Sequence, residues 1–241
     1  MPQIDDAELF GNAKDQRAYE DFCANQEAVE KFTLDKPALV CRWRMSNKKV
    51  PMLNRHIRAL SERLVQGEPL THNMLSWAKQ HVEWSLAEGD YTARDGVLML
   101  VIDVNGNAAM TVGEYEPLTD TSAKALRARS AEARSEADET GVAPELLAAV
   151  DNGELAFVAP ADECLCGTAT LIEQLAQTKG IPVARVDIPA QLKGALFLVS
   201  DEHGVVPATE ADAAEADAAE ADAATVAFFA EGYEKLRARR S

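Results

Sequence analysis

Four cysteines and four histidines are the first side chains with which this 241-residue chain could do chemistry. Cys164-Leu165-Cys166 forms the one close thiol pair, with Cys23 and Cys41 far from it in sequence. Zinc takes four ligands, commonly with two or more residues between paired cysteines, and no second cluster matches this pair, so no metal site is expected. A redox pair would have Cys-x-x-Cys spacing at a helix start. The cysteines therefore read as reduced structural thiols. His56, His72, His81 and His203 are scattered. His81 lies between Trp77 and Trp84 on one helical stripe, which suits a packed or half-buried ring better than a general base. Asp162-Glu163 is a carboxylate pair, but adjacent acids on a loop are more often solvated than catalytic.

Composition narrows the function classes. With 47% hydrophobic and 27% charged residues the chain reads as an ordinary globular protein. A formal net charge of -16 argues against nucleic acid or an anionic membrane as a main partner, because binding phosphates needs clustered Lys and Arg. No run of about 18 apolar residues offers a membrane span. The start, MPQIDDAELF, is acidic and lacks the basic and apolar regions of a secretory signal, so a cytoplasmic location is expected.

The elements that would position a site can be read from periodicity. Residues 1–35 are polar and helix-forming, with apolar positions at Phe10, Tyr19, Phe22, Val29 and Phe32. A strand at 39–43 is followed by a turn at Asn47-Lys48-Lys49 and a second short extended run at 50–53. Ile57, Leu60 and Leu64 then fall at helical spacing, closed by Gly67 and Pro69. Leu75, Ala78, Val82 and Leu86 mark a second helix. The apolar run 97–102 predicts a buried strand, Asn105-Gly106 a hairpin turn, and 108–112 the returning strand. Residues 118–125 read as a crossing between domains. A helix at 123–140 should end at Gly141, and another at 168–179 at Gly180. Strands are expected at 155–158, 183–188 and 195–200, with a turn at 201–204. Glu-Ala-Asp-Ala-Ala then occurs three times over 210–224. A period of five advances about 140° per repeat on a helix, so no acidic stripe forms and a solvated spacer is expected. Val226, Phe229, Tyr233 and Leu236 give a last helix an apolar face.

The ordered pieces resemble the class IV aminotransferase family, which includes branched-chain and D-amino-acid aminotransferases and aminodeoxychorismate lyase. Arg55-His56-Ile57-Arg58-Ala59-Leu60 lies where that family begins a His-x-x-Arg-Leu helix. Glu68-Pro69-Leu70 sits where it often has Ile-Pro-Leu. Asn152-Gly153-Glu154-Leu155 is similar to its Asp-Gly-x-Leu strand, and Cys164-Leu165-Cys166-Gly167-Thr168 to its Leu-x-Gly-Ile-Thr-Arg turn. Gly180-Ile181-Pro182-Val183 matches a helix-to-strand exit, and 196–207 the last strand and turn. The resemblance covers about residues 38–235. It implies an α/β fold of two domains: a helical extension at 1–35, a small domain at 36–117 and a larger one at 118–241. It also implies a homodimer with a small anionic or amino-acid ligand.

That family's activity needs a Schiff-base lysine, an acidic partner for the pyridine nitrogen and donors for the phosphate of pyridoxal phosphate (PLP). Here the pattern departs. The phosphate-binding arginine position is Ala59, and Arg58 comes one residue early, about 100° around the helix. Gly167, Thr168 and Thr170 stand for the phosphate-binding helix start, and Ser200, followed by Asp201, for the late hydroxyl donors. Glu145-Leu146-Leu147 passes almost at once to Asn152-Gly153, so the family's Glu-Gly-x-x-Ser-Asn strand is missing. Lys124 is the candidate Schiff-base lysine, although counting back from Gly141 puts that position on Ala123. Lys193 is too far away. The expectation is a class IV aminotransferase-like protein without bound PLP, in a binding, regulatory or unknown role. The alternative is an active PLP-dependent aminotransferase or lyase acting on a small amino acid, with Lys124 in the cleft and Arg58 on the phosphate.

Overall fold

The computed structural model describes residues 34–88, 91, 93–141, 145–187, 192–209 and 216–238. The helix expected within residues 1–35 lies outside them. Lys36–Ser241 forms one compact unit that holds two main sheets.

The first sheet is antiparallel, with order β1-β4-β5, built from β1 (Pro37–Met45), β4 (Gly96–Asp103) and β5 (Ala108–Gly113). Helices α1 (Leu53–Ser61) and α2 (His72–Glu88) follow β1. Leu53 and Leu60 of α1, with Ala78, Val82 and Leu86 of α2, close a core over Leu39, Trp43, Leu98 and Leu100. The strand expected at 50–53 is not formed. Asn47 (φ 52°) and Lys48 (φ 57°) make a tight turn closed by the Ser46–Lys49 bridge. Met52 (φ 58°) then takes the left-handed N-cap conformation, so residues 51–52 form a turn and α1 begins at Leu53. Leu64 also leaves the expected helix. It joins the two-residue strand β2 (Leu64–Val65), paired with β3 (Glu68–Pro69), and is 57% exposed.

The second sheet has order β10-β9-β6-β7-β8: β6 (Leu146–Asp151), β7 (Glu154–Val158), β8 (Val183–Val186), β9 (Ala195–Ser200) and β10 (Gly204–Pro207). Only β7 and β8 run parallel. Helix α3 (Ala123–Thr140) is capped by the Ser122 side chain, which accepts from the Ala125 N–H, and ends at left-handed Gly141. Helix α4 (Gly167–Lys179) and helix α5 (Ala216–Arg237) cover one face of this sheet, and Leu126 of α3 lies on the other. Five successive residues of β6 are buried because both faces are covered, so it lacks the alternation of a half-exposed strand. Phe157, Phe197 and Phe229 are fully buried, each worth about 1.5–3 kcal/mol of burial.

The acidic repeat is more than a spacer. Its third copy lies within α5, and Asp222 there is only 3% exposed. The Asp222 carboxylate accepts both N–H groups of the β6–β7 turn, from Asn152 and Gly153, each at 2.9 Å. Apolar anchors Val226 and Phe229 set the helix rotation that brings Asp222 inward.

Candidate functional site

A cavity of about 210 Å³ lies between β1, α1, the C-terminal half of α3 and the β9–β10 turn. Its apolar wall includes Leu39, Trp43, Leu60 and Ala133, and its polar wall includes His56, Glu145, Ser200, Asp201 and Glu202. The polar groups come from separate elements. His56 takes the inward stripe of α1 with Leu53 and Leu60, where it stacks on Trp43 at 5.4 Å. Ser200 ends β9 and Asp201 opens the turn after it.

Asp201 is the hub. Its carboxylate accepts from the first backbone N–H groups of α4, at 2.7 Å from Thr168 and 3.3 Å from Gly167. These are donors that a helix start cannot satisfy internally. His56 Nδ1 stands 3.1 Å from Oδ2, the oxygen that also accepts from Gly167, off the line of a strong hydrogen bond. The Asp201 carbonyl accepts from the Arg44 N–H of β1 at 2.9 Å, tying the two sheets together. Burial pushes the Asp201 carboxyl up, but the charge and contact of His56 and the Thr168 N–H bond more than offset it, leaving a pKa of about 2. Gly167 has a packing reason to be glycine: a Cβ there would meet His56 Nδ1 at 2.5 Å.

A second polar group adjoins the first. Arg129 of α3 holds the Glu145 carboxylate at 2.7 Å, Ser200 Oγ donates to it at 3.3 Å, and His203 Nε2 is 3.6 Å away. Ser200 Oγ also accepts from the Glu202 and His203 N–H groups. Arg42 pairs with Glu202 at 3.3 Å and with Glu136 at 3.0 Å. Glu145, Glu202 and His203 are the one metal-like grouping among the described residues. Two arginines already neutralise its carboxylates, so it reads as an ion-pair network. Burial lowers the His203 pKa against the opposing pull of Glu145 and Glu202.

No protein-family model matches the sequence, and no curated protein matches it. Solved structures match in shape. A fold IV-transaminase from Curtobacterium pusillum gives a TM-score of 0.52 at 16% identity, over 84% of this chain and 86% of that one. A protein assigned as 4-amino-4-deoxychorismate lyase from Legionella pneumophila gives 0.55 at 12% identity, over 86% and 96%. The PLP-bound form of a hypothetical aminotransferase from Mycobacterium tuberculosis gives 0.50 at 13% identity, over 87% and 95%. The chain has the class IV aminotransferase fold.

Within this class IV fold, the residues singled out by sequence scatter. Gly167 and Thr168 do meet at the start of α4, but their N–H groups face Asp201. Thr170 Oγ1 donates to the Gly167 carbonyl and accepts from Arg55 at 3.1 Å. Ser200 is buried and committed to Glu145. Ala59 lines the cavity, whereas Arg58 is exposed. Lys124 is exposed in the first turn of α3 and is not among the cavity-lining residues. Cys166 is the N-cap of α4, its sulfur accepting from the Ala169 N–H at 3.4 Å, and Cys164 Sγ donates to the Glu62 carbonyl. Glu163 pairs with Arg134 at 2.8 Å, and Asp162 is exposed. His81 stacks on Trp77 at 4.6 Å, half-buried on α2. Sequence reasoning missed His56 and the Arg129–Glu145 pair. A histidine at the i, i+3, i+7 stripe of Leu53 and Leu60 was the available signal for the first.

No helix among the described residues is long and apolar enough to cross a membrane.

Proposed function

We propose that this chain is a class IV aminotransferase-like protein that has lost PLP binding, and with it transaminase chemistry, and that its cleft now serves a binding or regulatory role. The observation that carries this reading is the Asp201 carboxylate seated on the start of α4, where the fold's resemblance would put a phosphate. An anion already answers those N–H donors. A phosphate brought to the same spot would meet a like charge, and two unit charges about 4 Å apart repel by roughly 4 kcal/mol at an effective dielectric of about 20.

Three further features support the loss. Ala59 stands in the cavity wall at the arginine position, so a strong charge-assisted contact is missing. β6 passes to β7 through the two-residue turn Asn152-Gly153, which leaves no strand for the acidic partner of the ring nitrogen. The exposed Lys124 stands outside the cavity wall. The residues present do not fit PLP. A homodimer in the cytoplasm is part of this reading, and sedimentation at micromolar concentration should give a dimer.

The test is a visible spectrum of purified protein mixed with PLP, before and after borohydride, with mass spectrometry of the product. The expected outcome is no absorbing adduct and no added mass on any one lysine. A yellow protein fixed by borohydride, whose colour disappears in Lys124→Ala, would overturn the reading and favour an active PLP-dependent aminotransferase or lyase.

A further inference from the structure

The cavity wall is rich in acceptors and short of cations. Arg129 answers Glu145 from outside the wall. That leaves the carboxylates of Glu136, Asp201 and Glu202 to the two arginines of the wall, Arg42 and Arg63. Arg42 is shared, with Nη2 at 3.0 Å from Glu136 and Nε at 3.3 Å from Glu202. Arg63 donates to the Cys164 carbonyl, a neutral acceptor. Two wall thiols report the sign of the field. Burial is the main cause that raises the pKa of both Cys41 and Cys166, and of the two charges near them Asp201 raises it more than Arg63 lowers it.

Two wall groups also lack the hydrogen bonds that burial calls for. The Glu202 side chain is 17% exposed, yet neither carboxylate oxygen accepts a hydrogen bond among the described residues, and Arg42 Nε approaches Oε2 off line. The His56 side chain is 2% exposed, and neither ring nitrogen makes an in-line hydrogen bond among the described residues. The Asp201 carboxylate beside Nδ1 favours a proton there, which in the neutral ring leaves Nε2 an acceptor. Burial lowers the pKa of the nearby His203, which disfavours a cation on that ring. An ammonium group has one positive charge and three N–H donors, so it meets both shortages. A carboxylate or phosphate would add to the excess of negative charge. Trp43 stacks on His56, and Leu60 follows it by one turn of α1, so hydrocarbon flanks the imidazole. The volume of about 210 Å³ is below the roughly 300–1,000 Å³ of sites for drug-sized ligands, so the apolar body must be short.

We propose that this cavity binds a small primary amine as its ammonium ion, with Glu202 answering the charge and the apolar body beside Trp43 and Leu60. The proposal rests on the reading that PLP does not occupy the cleft, and its ligand is opposite in sign to the anionic one that the family resemblance implies.

The experiment is calorimetric titration of full-length protein, shown by its spectrum to be colourless, with phenethylamine, 2-phenylethanol, L-phenylalanine and 3-phenylpropanoate. Phenethylamine should bind, with each of the other three at least about tenfold weaker, the loss expected when one charge-assisted pair is removed or opposed. Glu202→Gln keeps the shape of the side chain and removes its charge. It should weaken phenethylamine about tenfold and leave 2-phenylethanol unchanged. Absence of phenethylamine binding, an alcohol or acid that binds as tightly as the amine, or an unchanged Glu202→Gln variant would each overturn the proposal. Should Glu202→Gln fail to fold, the four-ligand comparison on the unaltered protein decides alone. Colour on adding PLP tests the underlying reading separately, so a colourless protein that ignores phenethylamine refutes only the amine site.

Discussion

Replacing Asp201 with asparagine keeps the side chain's shape and removes its charge. The folded carboxyl is held at about 2 against an ordinary 3.8. At about 1.4 kcal/mol for each tenfold change in acidity, that gap is worth about 2 kcal/mol of folding stability. Because the folded pKa is depressed, this stability is fully present above about pH 5 and is lost as pH falls through the unfolded and then the folded value. Roughly half should be gone by about pH 3. The asparagine variant has no such titration. Urea unfolding of both proteins should therefore differ by about 2 kcal/mol near pH 7 and by about half that near pH 3. The other carboxylates titrate in both proteins and cancel in the difference. Loss of the charge also leaves His56, whose side chain is 2% exposed, without the carboxylate beside it. A difference below about 0.5 kcal/mol at pH 7, or one that is the same at both pH values, would refute the account of Asp201 as an anionic helix cap.

The acidic repeat offers a paired test. Asp222→Ala removes the acceptor of two turn N–H groups and should cost about 1–3 kcal/mol in urea unfolding, whereas exposed Glu220→Ala in the same repeat should stay within about 0.5 kcal/mol. Equal effects would return the whole repeat to the role of a solvated spacer.

Much of the fold was legible because its signals are local. Gly141 bounds α3, since a left-handed glycine satisfies a helix end wherever it occurs. The apolar run in β4 and the Asn105-Gly106 turn after it state a buried hairpin in the same way. The α4 glycine ends and the β9–β10 turn were also readable, and with them the order of pieces that resembles class IV. The changes at Ala59, Asp201 and the short passage from Glu145 to Asn152 stood in the sequence too.

Other features depended on contacts that sequence order does not reveal. Residues 50–53 have strand-like side chains, but after the Ser46–Lys49 turn residues 51–52 form a second turn, and left-handed Met52 caps the helix that starts at Leu53. β6 escaped notice because burial on both faces erases the period of two. Asp222 is set apart from the other acids of its repeat by the rotation of the docked α5, which Val226 and Phe229 set. The candidate site depends most on tertiary structure. A carboxylate at the end of β9, a histidine on α1 and the first N–H groups of α4 are far apart along the chain. Packing of the two sheets brings the histidine and the N–H groups each to about 3 Å from the carboxylate.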